Sequence, residues 1–295
     1  MREKSGACAA LLLLTFMTPA WAEDDALPHP SGNPTTGFFI GVGGGYNSTD
    51  FTQNLDASGI SAIFLDDALV ALGEAGGPST PFRDTQSKLA PEVHLGFFRD
   101  LTDNGWMWGT KFKYKYLNQT STDNIVDSPQ SGAFINTAAA PANTTFTGNV
   151  VIESSQARIT HELSFLALIA HPFMNGNLYF GAGPALFATK SNIYGATGFA
   201  DINGVHFDIT GVPADFSNSE WVWGGAAQIG MTYNLGAKWF LDFSYTYSLT
   251  PNYKTNYSGA FATTAAGYND IGTLFINPAE RVNSQAFAVS INKRF

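Results

Sequence analysis

Cysteine is almost missing from this chain: 295 residues hold one, Cys8. It falls within an N-terminal stretch that has the parts of an export signal. Arg2 and Lys4 make a basic start, Ala7 to Met17 an apolar run, and Ala20-Trp21-Ala22 an A-x-A cleavage site before Glu23. The processed chain is then left without a disulfide, a thiolate metal site or a thiol nucleophile. Long apolar runs are missing as well. The N-terminal run is too short for a bilayer, which needs about 20 residues, and no later window is long and apolar enough. That excludes helical membrane spans. Charge is sparse, at 13% of residues against roughly 25% in soluble domains. A formal net charge of −9 argues against nucleic acid as a partner.

What the chain does have is aromatic residues (14%), glycine (30 residues) and a repeated alternation of period two. Its last residues, Asn283 to Phe295, put apolar Phe287, Val289, Ile291 and Phe295 against Ser284, Ser290, Asn292 and Arg294. From Gly37 to Tyr46, Phe38, Ile40, Val42, Gly44 and Tyr46 oppose Gly41, Gly43 and Gly45. Leu89 to Asp100 sets Val93, Leu95 and Phe97 against Glu92, His94 and Gly96. In Trp106 to Leu117 a ladder of Trp106, Trp108, Phe112, Tyr114 and Tyr116 alternates with Lys111, Lys113 and Lys115. Ile152 to Ala170 places Ile159, Leu163, Phe165 and Ile169 opposite Arg158, Glu162 and Ser164. Three more segments, Asn177 to Thr189, Ser219 to Leu235 and Lys238 to Thr250, obey the same rule.

Eight such segments are joined by three short connections (Leu101–Gly105, His171–Gly176 and Gly236–Ala237) and four long ones (47–88, 118–150, 190–218 and 251–282), in alternation. A short helix is expected within the first long connection, at Ile60 to Leu72. Short turns on one side, long loops on the other and strands of ten or more residues describe an all-β, eight-stranded, antiparallel, transmembrane up-and-down β-barrel. The turns belong in the periplasm and the loops outside. The expected organisation is a cleaved signal peptide at 1–22, a periplasmic leader at 23–36 and the barrel at 37–295.

G-F-F-I-G-V-G-G-G-Y (Gly37 to Tyr46) and A-V-S-I-N-K-R-F (Ala288 to Phe295) bracket this pattern. With them the chain resembles the small eight-stranded barrels of the bacterial outer membrane: the transmembrane domain of the OmpA family, the opacity-type surface proteins and the OmpW group. The resemblance implies a Gram-negative outer-membrane location, contact with lipid and lipopolysaccharide, and insertion by the barrel-assembly machinery. Phe287, Val289, Ile291 and Phe295 match the C-terminal insertion signal of such barrels. Trp106, Trp108, Trp221, Trp223 and Trp239 fit their aromatic girdle.

An eight-stranded barrel has a lumen just wide enough for its own side chains. The inward polar set is expected to be Glu92, His94, Lys111, Lys113, Lys115, Arg158, Glu162, Gln228 and Asp242, pairing charge with charge. The first functional reading is a non-enzymatic structural barrel, monomeric, that displays its loops to host or phage surfaces. The alternative is a narrow OmpW-like conduit for small solutes, passing through the space left by Gly41, Gly43, Gly45, Gly181, Gly183, Gly224 and Gly230. A lipid A-modifying enzyme built on His161, Glu162 and Ser164 is disfavoured, because neighbours on a strand point to opposite faces. No catalytic, cofactor-binding or metal-ligating residue is assigned, and no cofactor is expected.

Overall fold

The computed structural model describes residues 36–101, 104–137, 144–202, 204–236, 238–265 and 267–295. The expected signal peptide and all but the last residue of the expected leader lie outside them. The described strands, in chain order, are β1 (Gly37–Leu65), β2 (Ala68–Pro78), β3 (Phe82–Asp100), β4 (Met107–Asn136), β5 (Thr144–Phe173), β6 (Gly176–Ile202), β7 (Val205–Asp208), β8 (Ala214–Gly236), β9 (Trp239–Leu249), β10 (Tyr253–Lys254), β11 (Tyr257–Ala265) and β12 (Tyr268–Arg294).

Eight of them close a ring in which each strand is antiparallel to the next. The order is β1, β3, β4, β5, β6, β8, β9, β12, and β12 returns to β1 through pairs from Phe39↔Arg294 to Phe64↔Asn269. Closure leaves the turn-side half of the ring without an open edge, and in lipid it satisfies the backbone polar groups there. The three short connections at one end run from Asp100 to Met107, from Phe173 to Gly176 and from Gly236 to Trp239. At each of the last two, positive φ at Met174, or at Gly236 and Lys238, makes the tight reversal possible.

The four long connections are mostly strand rather than loop. β1, β4, β5, β6 and β12 run for 27 to 30 residues, whereas a membrane crossing needs roughly 9–11. The expected helix at Ile60–Leu72 is instead a hairpin of β1 and β2, which turns at Asp66 and Asp67 with φ of 46° and 65°. The physical reason is visible in β1. Asn47, Thr49, Phe51, Gln53, Leu55 and Ala57 all point inward and are buried. Period two continues there, but polar residues occupy both faces, so the hydrophobic alternation disappears.

Two irregularities matter for function. A bulge between Ile159 and His161 shifts the β5–β6 register by one residue. It reverses which face each residue takes, since side chains alternate strictly along a strand. Below it Glu162 and Ser164 point inward; above it Ala157 and Ile159 do. Secondly, β3 pairs with β4 only from Glu92↔Lys115 to Asp100↔Met107. Higher up, β2 takes over with Gly76↔Ser131 to Ala71↔Asn136, in the same register. Residues 77–91 therefore face 116–130 across an unpaired seam. Pro91 and Pro129, which carry no N–H, lie on its two sides.

Candidate functional site

The lumen is filled in layers. At the turn end Phe39, Phe98 and Phe240 pack together, with Phe39 and Phe98 stacked at 5.6 Å between ring centroids, beside Met107, Leu168 and Ala170. Above them sits the charged layer. Lys111 Nζ donates to Asp242 Oδ2 at 2.5 Å, and Tyr179 Oη donates to the other carboxylate oxygen at 2.8 Å. Lys115 Nζ donates to Glu162 Oε2 at 3.0 Å, and Ser248 Oγ donates to Glu162 Oε1 at 2.9 Å. Between the two ion pairs, Lys113 Nζ donates to Thr246 Oγ1 at 2.8 Å, and the Gln228 amide shares that oxygen. His94 Nε2 meets Asn292 Oδ1 at 2.6 Å, with Glu92 3.8 Å from its other nitrogen.

Of the nine residues expected in the lumen, eight are in this layer and buried. Arg158 is not. The Ile159–His161 bulge turns it to the outer face, where it donates to Asn118 Oδ1, and turns Ile159, expected to face lipid, to the inside. The glycines read as possible free space are occupied by neighbours. A Cβ on Gly230 would strike the Tyr179 ring, one on Gly181 the Leu168 side chain, and one on Gly224 both Phe187 and the backbone of Leu249.

Two further layers were missed by the sequence reading. Asn47, Thr49, Gln119 and Ser284 form a neutral network: Asn47 Nδ2 donates to Thr49 and Gln119, and Ser284 Oγ donates to Asn47 Oδ1. Higher still, Glu280 accepts from Gln53 Nε2, Ser191 Oγ and Tyr253 Oη at 2.8–3.1 Å, with no cation in contact among the described residues. Burial pushes this carboxyl above its usual range, and the three donors oppose the shift. The signal for both layers was present. Asn47, Thr49 and Gln53 continue the inward phase of Gly41, Gly43 and Gly45, and Glu280 and Ser284 continue that of Ser290. An apolar cluster of Leu55, Val126, Val150, Ile152, Ile193, Leu274 and Ile276 closes the top.

The outside of the ring changes character half-way along. On the turn side, Ile40, Val42, Leu95, Trp108, Phe112, Phe165, Ile169, Phe180, Ile229, Phe243, Val289 and Ile291 stand exposed around the circumference. All five tryptophans of the expected girdle are on this surface, as are Phe287 and Phe295. Beyond Tyr46, Leu89 and Tyr116 the exterior turns polar, with Ser48, Asp50, Thr52, Thr120 and Gln285 facing out. An apolar belt around a closed ring with charge inside is stable only in lipid, and closed barrels of this kind are found in outer membranes. The chain is an eight-stranded outer-membrane β-barrel.

No protein-family model matches the chain, and no curated protein does. Among solved structures the barrel is similar to Neisserial surface protein A, at 11% identity and a TM-score of 0.28, covering 83% of this chain and 97% of that one. It is also similar to OprG from Pseudomonas aeruginosa (12%, TM-score 0.34, 88% and 98% covered). The outer membrane protease OmpT from Escherichia coli is a third (9%, TM-score 0.33, 90% and 99% covered). The ring of strand pairs and the apolar belt, rather than these distant likenesses, carry the assignment.

The structure also separates the three residues of the enzyme reading. His161 lies on the outer face, where its Nδ1 meets Tyr114 Oη at 2.8 Å and its ring packs against Tyr116. Glu162 and Ser164 point into the lumen. A nucleophile needs its base within about 3 Å, and the barrel wall stands between them.

Proposed function

We propose that this barrel is a filled, non-conducting and non-catalytic scaffold, and that it presents the half beyond the lipid belt to ligands outside the cell, such as host or phage surfaces. One observation carries the reading: an apolar floor, a charged layer, a neutral polar layer, a buried carboxylate and an apolar cap succeed one another through the lumen. A path for solutes would have to dismantle both ion pairs, which are buried and whose carboxylates also accept from Tyr179 and Ser248. The refolded chain, in a planar lipid bilayer, is expected to give no discrete current steps. Stable openings from demonstrably folded protein overturn the proposal.

A further inference from the structure

Where the apolar belt gives way to the polar exterior, two cations stand on neighbouring strands at one height. Arg158 on β5 is the direct cross-strand partner of Lys190 on β6. Both side chains point outward. Like charges directly opposite one another destabilise a sheet, and the protein does nothing to relieve this pair. Among the described residues no acid lies within ion-pair distance of either. The acids on nearby stretches face inward: Glu162 accepts from Lys115, and Glu220 from Thr255. The Arg158 guanidinium donates to Asn118 Oδ1, and its Nε has no partner. Asn118, held at a φ of 47°, also accepts Lys88 Nζ on its carbonyl at 3.2 Å. The β5 bulge thus sets Arg158 beside Lys190 on the outer face, while Lys88, whose cross-strand partner Asn47 points inward, reaches Asn118 across the seam.

The surroundings say what kind of anion suits this row. Directly below, on the lipid side, Tyr114, Tyr116, His161 and Trp221 form an aromatic shelf, which marks the depth of lipid headgroups. Just above, Thr122, Gln156 and Ser217 are neutral and polar, and the next outward-facing acids, Glu153 and Asp215, stand higher on β5 and β8. An anion held here by cationic donors, with apolar chains running down the belt, is a phosphate on a lipid. Guanidinium and ammonium groups both bind phosphate, the former through paired donors.

We propose that Arg158 and Lys190 bind the phosphate groups of a phosphorylated lipid headgroup in the outer leaflet. The site requires the barrel to span a membrane, and it stands whether or not the lumen conducts. The test is native mass spectrometry of the folded chain in a non-ionic detergent, titrated with bis-phosphorylated lipid A, with the same lipid after dephosphorylation, and with inorganic phosphate. The phosphorylated lipid should be retained about tenfold more tightly than its dephosphorylated form. Arg158→Gln/Lys190→Gln should remove most of that preference, and Arg158→Lys should keep much of it, as expected for charge-assisted contacts. Equal retention of both lipids overturns the site, and so does a double variant that binds like the parent. Inorganic phosphate binding as tightly as the lipid also overturns it, in favour of a soluble anion. Should the double variant fail to fold, Lys190→Gln alone removes an ammonium that has no ion-pair partner among the described residues. It should still lose several-fold in preference, and no loss counts against the site.

Discussion

Three lysines in one row of β4 look interchangeable in the sequence, yet their partners differ. Lys111 and Lys115 each meet a buried carboxylate, whereas Lys113 meets only the Thr246 hydroxyl and lies between two other cations. Removing one partner of a buried ion pair leaves an uncompensated charge, at a cost of about 3–5 kcal/mol. Lys111→Met should therefore lower the unfolding free energy in lipid vesicles by about that amount, and Lys111→Met/Asp242→Leu should recover much of it. Lys113→Met removes one hydrogen bond and a self-repelling charge, so its loss should stay within about 1 kcal/mol. Urea unfolding of the three variants separates the cases; equal losses would mean that the row acts as one unit. Outside the lipid, Asp270 provides a pH signature. It faces Ser61 near the open end, and burial raises its pKa to about 6. A carboxyl with a raised folded pKa favours the fold when protonated, so stability is present below about pH 4 and is lost as pH rises through about 6. Asp270→Asn should raise the melting temperature at pH 8 and leave it nearly unchanged at pH 4. The alternation rule gave eight of the nine lumen residues. It misplaced Arg158 because one inserted residue reverses the rule, and a bulge has no composition of its own.

Along a strand, pairing rather than composition decides what is exposed. β4 is flanked by β5 from Met107 to Phe134, but on its other side it meets β3 only up to Lys115 and β2 only from Ser131. Successive amides of an antiparallel strand point to opposite edges. Between Gln119 and Gln130, hydrogen exchange should then be fast at every second amide and slow at those aimed at β5. Between Met107 and Lys115 it should be slow throughout. NMR exchange rates check this, and uniform protection of 119–130 would show that the seam is zipped in solution. The seam keeps the same register on both sides, so what opens it is local: the missing N–H groups of Pro91 and Pro129 and the left-handed backbone at Asn118 and Ile125. The prolines could be read from the sequence. The strands around them could not, because period two is invisible where both faces are polar, as it is from Asn47 to Asp56. The same blindness turned the β1–β2 hairpin into an expected helix.

At the scale of the whole molecule, the exterior divides the barrel more sharply than its secondary structure does. Five strands run on for 27 to 30 residues, yet only the part below Tyr46, Leu89, Tyr116 and Phe287 carries a continuous belt of apolar side chains; beyond it outward apolar residues such as Ile60, Leu72 and Ile271 stand among polar ones. Burying that belt in hydrocarbon gains about 25 cal/mol for each Å² of apolar surface, and the polar half gains nothing from lipid. The membrane position of the ring is therefore set by side chains alone and can be mapped by them. Cys8 is the chain's one cysteine, so a variant lacking it can carry single cysteines as reporters. Cysteine at Val42, Phe112 or Ile229 should resist a membrane-impermeant maleimide in vesicles. Cysteine at Thr52, Thr122 or Gln285 should react quickly, although each lies in the same kind of strand. Rapid labelling at Val42 would raise the barrel in the bilayer and move the Arg158–Lys190 row out of headgroup reach, so this map also decides whether that row meets lipid at all. The eight-stranded ring could be read from the sequence because its lower half must alternate between hydrocarbon and charge. The upper half, with water outside and a packed interior, faces no such demand, and its strands follow from pairing with strands already placed.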